Sequence, residues 1–169
     1  MSQSNPPAFT HRFRVRYAEL DPQGVVFNAR YLEYADLAIT EYWRAKGIMG
    51  QAADPLDFHV AHAAVDFRKP IRAEETVEAR AWTTRFGHSS MTTRIELHGV
   101  AADDMDDGRR DGHSDGHSDQ QSDQHSDQQS DDLRAEIELV NVHVDLASGS
   151  AKPLPDRVRR ALGGSETGT

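Results

Sequence analysis

The chain has 169 residues, enough for one domain with a real core, and it contains no cysteine. Disulfides, thiolate metal sites and a cysteine nucleophile are thereby excluded. The formal net charge of −9 is confined to residues 101–132, which hold 11 Asp and 2 Arg. The rest of the chain balances to zero, so the acidity carries no information about a ligand, and no nucleic-acid partner is expected.

The start, Met1-Ser-Gln-Ser-Asn-Pro-Pro7, lacks the basic and apolar run of a signal peptide. No apolar stretch approaches the ~20 residues that span a bilayer. A soluble, cytoplasmic protein without a membrane span is expected.

In chain order, Phe13, Val15 and Tyr17 alternate with Arg12, Arg14 and Arg16. That period of two predicts a half-buried strand with the arginines on its solvent face. Asp21-Pro-Gln-Gly24 follows with the residues of a type I turn. Tyr31, Tyr34, Ala35, Ala38 and Tyr42 then recur at helical spacing through about Lys46. Asn28 is the expected N-cap, and Gly47 the stop.

Four strands are predicted next. Ala61, Ala63, Val65 and Phe67 form one apolar face, with Pro70 ending the run. His59 and His62 fall near its start, one on each face. Val77, Ala79 and Ala81 mark the following strand, and Met91, Ile95 and Leu97 the next. In the last strand the apolar residues change phase. Ala135, Ile137 and Leu139 are odd, whereas Val140, Val142, Val144 and Leu146 are even. The shift predicts a β-bulge near Leu139 and Val140. Pro155-Asp156 starts a short helix reaching Leu162.

Between the last two strands lies GHSD GHSD QQSD QHSD QQSD, from Gly112 to Asp131, without an aliphatic or aromatic side chain. Such a segment cannot offset its ordering entropy by burial, and a disordered insertion at 101–132 is expected. Its histidines are read as part of a solvated linker, and no metal site is expected. One long helix among five strands gives an α+β class. Which strands pair is not readable from periodicity.

The segment from Tyr17 to Tyr31 resembles the signature of the 4-hydroxybenzoyl-CoA thioesterase family of hotdog enzymes. Asp21, Gly24, Val25, Val26, Phe27, Asn28 and Tyr31 carry the match. Weaker similarity covers residues 65–70, 85–90, 142–145 and 152–155. The resemblance implies one hotdog thioesterase domain over residues 1–169, its antiparallel sheet of about five strands wrapped around the long helix. It implies a homodimer or homotetramer with active sites at the subunit interface. It also implies an acyl-CoA substrate, whose CoA is part of the substrate, so no separate cofactor is expected. Tyr17 and Asp21 match the Tol-Pal-associated branch, which carries histidine where this chain has Asn28. Asparagine cannot act as an acid or base near neutral pH.

On that resemblance, Asp21 either attacks the thioester carbonyl or activates a water. The turn chemistry alone would also account for an Asp here. Tyr17 is expected to hydrogen-bond the Asp21 carboxylate, and Asn28 to orient the carbonyl or the water. Free N–H groups at the helix start, near Asn28 to Tyr31, are the expected oxyanion donors. Gly24, Val25, Phe27 and Tyr31 are expected to line the substrate. Arg68, Lys69, Arg85 and His88 are candidates for the CoA phosphates, and Ser89 and Ser90 for the pantetheine arm. The alternative is a non-catalytic acyl-thioester-binding or assembly module of the same fold. A hotdog dehydratase, and a passive domain whose acidic repeat tethers a metal or partner, are less consistent with the Asp21 motif.

Overall fold

The computed structural model describes residues 9–49, 56–100 and 132–163. Strand β1 (Phe9–Arg14) leads through a 3-10 turn (Tyr17–Glu19) to helix α1 (Arg30–Ala45). Strands β2 (Phe58–Phe67), β3 (Thr76–Phe86), β4 (Ser90–Val100) and β5 (Leu133–His143) follow, and then helix α2 (Asp156–Ala161). The five strands form one antiparallel sheet in the order β1-β3-β4-β5-β2. The acidic insertion at 101–132 joins β4 to its sheet neighbour β5; apart from Asp132 it lies outside the described residues.

The helix packs as its periodicity requires. Tyr31, Tyr34, Ala35, Ala38 and Tyr42 are all buried. They meet an inner sheet face of Val77, Ala79 and Ala81 on β3, Met91, Ile95 and Leu97 on β4, and Ala135, Ile137 and Leu139 on β5. Ala35 and Ala38 of the helix and Ala79, Ala81 and Ala135 of the sheet are fully buried between the two. Gly47, at φ +69°, ends α1, and the Ile48 N–H donates to the Trp43 carbonyl across the final turn. No helix among the described residues is long and apolar enough to cross a membrane.

Helix α1 lies over β1, β3 and β4. The inner face of β2 therefore stays largely uncovered, with Val60 and Phe67 more than half exposed. The second edge of β2 has no strand partner among the described residues.

Three expectations need correction. The first strand stops at Arg14, so Tyr17 is not a strand residue; it opens the 3-10 turn with its side chain 81% exposed. The bulge expected at Leu139 and Val140 is absent, since Thr93 to Met91 pair without a break with Leu139 to Asn141. Every odd residue from Ala135 to His143 is buried. The apolar phase changes because two inward positions are polar: Asn141, and His143, whose Nδ1 sits 2.9 Å from the Pro153 carbonyl. Beside Val140 and Asn141 the register shifts on β2, between Val60 and His62, whereas the shift of β5 against β4 lies between Leu97 and His98. The shift on β2 puts His59 opposite Val142 and His62 opposite Val140, so both histidines share the outer face.

Candidate active site

The loop from β1 to α1 is built around a buried carboxylate. Val15 leaves the sheet with its N–H on the Glu75 carbonyl, 2.9 Å away. The chain then tightens, and Glu19 turns inward to 4% exposure. Its carboxylate accepts hydrogen bonds from the Arg16 N–H (2.8 Å), Arg16 Nε (2.7 Å) and the Tyr34 hydroxyl (2.7 Å). Burial alone would raise the Glu19 pKa. The bonds from the Arg16 backbone, from Tyr34 and from the Arg16 guanidinium outweigh it and hold the carboxyl below its ordinary range. Burial first, and then the bond to Glu19, push the Tyr34 phenol up.

A carboxyl with a depressed folded pKa contributes stability that is fully present above its unfolded value, about 4.3. That stability is lost as pH falls through the folded value. Glu19→Gln puts an amide N–H₂ against donors, and we expect it to cost about 1.5–3 kcal/mol at pH 7. Thermal melts against pH check this: the variant should melt several degrees lower at pH 7 and lose less on acidification below about pH 4. Parallel curves for the two proteins would refute it. Sequence periodicity did not single out Glu19. Its signal is an acid between Ala18 and Leu20, three residues after Arg16.

The Asp21 turn follows directly. The Gly24 N–H donates to the Asp21 carbonyl (3.0 Å), and the Asp21 N–H donates to the Val25 carbonyl (2.8 Å). Gly24, at φ +76°, takes the left-handed conformation that a β-carbon would disfavour. One carboxylate oxygen of Asp21 accepts the Gln23 N–H at 2.8 Å. The other, Oδ2, has no hydrogen-bond partner among the described residues. The turn is docked by Phe27 N–H on the Glu19 carbonyl (3.0 Å) and Val26 N–H on the Ile71 carbonyl (2.8 Å).

Asn28 is not the N-cap. Ala29 occupies that position without a side-chain cap. The N–H groups of Arg30, Tyr31 and Leu32 turn back onto the carbonyls of Phe27, Asn28 and Ala29. This tight first turn satisfies by backbone what a capping side chain would have satisfied, and it removes Arg30 and Tyr31 from the set of free donors. The amides of Asn28 and Ala29 keep no hydrogen-bond partner among the described residues.

These elements enclose a cleft of about 390 Å³. Asp21, Val25, Phe27, Asn28 and Tyr31 line one side, and residues 67–70, including Arg68 and Lys69, line the other. Gly24 shapes the turn behind it. The Tyr31 and Phe67 rings meet edge to face at 4.8 Å. Neither cation on the far wall is free. Arg68 pairs with Glu136 and Lys69 with Asp132, the latter at 2.8 Å. The Glu136 bond raises the Arg68 pKa, and the Lys69 bond lowers that of Asp132.

Other sequence candidates lie elsewhere. No hydrogen bond joins the Tyr17 side chain to Asp21 among the described residues. Arg85, His88, Ser89 and Ser90 sit at the β3–β4 hairpin. The 11 residues of β3 separate that hairpin from the cleft end of the sheet, by roughly 30 Å. There the carbonyls of His88 and Ser89 accept the N–H groups of Leu154 and His143, tying down the C-terminal tail. Among the described residues no group of three or more His, Asp or Glu side chains could hold a metal.

An antiparallel five-stranded sheet around one long helix makes this fold similar to that of solved structures. The 1,4-dihydroxy-2-naphthoyl-CoA thioesterase of Synechocystis superposes with a TM-score of 0.68 at 17% identity, covering 92% of this chain and 96% of its own. A gentisyl-coenzyme A thioesterase gives 0.67 at 17% identity, with coverages of 91% and 99%. A hypothetical protein from Thermus thermophilus gives 0.67 at 22%, with 92% and 95%. The fold is the hotdog. The sequence profile of the Thioesterase superfamily matches residues 23–100 of this hotdog chain. That stretch takes in the end of the Asp21 turn, α1, β2, β3 and β4. No protein of curated function matches the sequence.

Proposed function

We propose that the chain is an acyl-CoA thioesterase whose reaction is centred on Asp21. The observation that carries this reading is the Asp21 carboxylate. It faces a cleft next to the start of α1, fixed through one oxygen and with Oδ2 unpartnered among the described residues. In the proposed reaction the thioester carbonyl lies against the amides of Asn28 and Ala29. Oδ2 either attacks the carbonyl carbon or takes a proton from the attacking water. The C–S bond breaks and the CoA thiolate leaves, taking up a proton that the water supplies; where Oδ2 has attacked, water then hydrolyses the resulting mixed anhydride, freeing the acid and restoring the Asp21 carboxylate. Asn28 contributes orientation and no proton transfer. The side chains of Val25, Phe27 and Tyr31 provide an apolar wall for the acyl part.

The unpartnered edge and uncovered inner face of β2 support assembly into at least a homodimer. In that assembly Arg85, His88, Ser89 and Ser90 reach the substrate only from a second copy. Kinship with the Tol-Pal-associated branch rests on Tyr17 and Asp21, and Asn28 departs from it. A cytoplasmic setting fits the cysteine-free composition.

The non-catalytic reading has one observation in its favour: the turn already employs one Asp21 oxygen. Release of free thiol from aryl, short-chain and long-chain acyl-CoAs decides between them. Turnover of at least one class is expected. Micromolar binding of an acyl-CoA without turnover would establish the binding module instead.

A further inference from the structure

We propose that Arg134 is a positioning residue that holds the far wall of the cleft in place, and that Gly99 exists to admit it; this rests on reading the cleft as the substrate site. Arg134 is the second residue of β5, and its side chain is only 14% exposed. Its guanidinium bridges three separate parts of the chain. It donates to the Pro70 carbonyl (2.5 Å) and, through Nε, to the Asp132 carboxylate (2.8 Å), and it forms ion pairs with Asp132 (2.7 Å) and with Glu75 ahead of β3 (2.9 Å). Its own carbonyl accepts the N–H groups of Arg68 (2.8 Å) and Lys69 (3.1 Å). Residues 68–70 are thus gripped from both ends of one arginine.

The stretch that follows residues 68–70 meets the opposite wall independently of Arg134. Directly after Pro70, the Ile71 carbonyl accepts the Val26 N–H. Arg72 bridges to Val25. Arg134 thus fixes residues 68–70, while Ile71 and Arg72 are held to the Asp21 turn by backbone contacts of their own. A planar fork with five donors suits this role, and a lysine, with one compact ammonium, cannot span the three acceptors.

Gly99 supplies the independent observation. A β-carbon there would lie 2.6 Å from Arg134 Nη2 and 2.6 Å from Asp132 Oδ2. Its backbone is not in the left-handed region, so conformational freedom does not explain the glycine. The missing side chain is the slot through which the guanidinium reaches Pro70. An alanine there would move the flexible guanidinium before it moved the sheet.

The Asp21 turn closes through its own hydrogen bonds and through Glu19, so the reacting group stays placed when the wall loosens. Arg134→Met is therefore expected to raise KM for an acyl-CoA about 5- to 20-fold with kcat within about twofold. Gly99→Ala should raise KM in the same direction, and the double variant should be no worse than Arg134→Met alone. Arg134→Lys should recover only a minor part. A lower kcat with unchanged KM would mark an ordinary stability role and overturn the proposal, as would full additivity of the two changes. Amide hydrogen exchange over residues 67–72 provides a readout that needs no turnover. Exchange should quicken there in Arg134→Met and in Gly99→Ala while the Asp21 turn keeps its protection. If the wild type hydrolyses nothing but this pattern holds, the thioesterase reading fails and the clamp survives. If exchange is unchanged, the clamp fails whatever the activity.

Discussion

Asp21→Asn is expected to lower thiol release by roughly 10³-fold or more while leaving the fold intact. The two halves of this expectation come from different atoms of one side chain. Asn is as well suited as Asp to the first position of a type I turn. Its amide oxygen can still accept the Gln23 N–H that Asp21 Oδ1 accepts at 2.8 Å. The melting temperature should therefore move little. The chemistry has no such substitute, because a neutral amide neither attacks a carbonyl nor takes a proton from water. Loss of a general base alone costs about 10²- to 10⁴-fold. Loss of a nucleophile removes the route altogether. A single turnover in oxygen-labelled water separates the two: label recovered in the Asp21 carboxyl marks the anhydride route. Wild-type turnover by a folded Asp21→Asn protein would remove Asp21 from the mechanism and leave it a turn residue.

That ambiguity runs through the whole sequence. The face of α1 was readable from Tyr31 to Tyr42 because its period is local and its partners are apolar. The inner faces of β3 and β4 were readable for the same reason. Periodicity misleads where polar side chains occupy inward positions. Asn141 and His143 continue the inward side of β5, so the apolar signal changes phase although the strand does not. Tyr17 continues an alternation that the chain has already abandoned, because the buried Glu19 pulls residues 17–19 into a turn. At the head of α1 a polar Asn28 looks like a cap, yet the carbonyls of Phe27, Asn28 and Ala29 close the first turn instead.

The Asp21 side of the cleft was legible because its residues are contiguous and carry a specific resemblance. The opposite side depends on pairing between segments more than 60 residues apart, as in Arg134 to Pro70 and Arg68 to Glu136. No local pattern encodes such a contact, so Arg134, Glu75 and Asp132 were invisible as parts of a site. The same distance effect explains the hairpin candidates. Arg85 and His88 resemble family positions, but within one chain the length of β3 keeps them from the cleft.

The helix end provides the second large effect, since Ala29→Pro should cut kcat by about 10²- to 10³-fold with little change in KM. Ala29 has φ −64° and ψ −25°, and proline fixes φ near that value. Its N–H has no protein acceptor among the described residues, so the ring removes no internal hydrogen bond. What it removes is one of the two donors that remain after Arg30 and Tyr31 turn inward. A donor aimed at a developing oxyanion is worth about 10²- to 10³-fold, because the charge it meets is larger in the transition state than in the substrate. An interaction of that kind leaves ground-state binding, and hence KM, nearly untouched. Ala29→Gly keeps the N–H and isolates the amide from any effect of the side chain. Circular dichroism on both variants separates a lost donor from a frayed helix. If Ala29→Pro turns over like the wild type with its helix intact, the amide of Asn28 is left as the sole helix-end donor. The oxyanion would then be met by the Asn28 amide without Ala29.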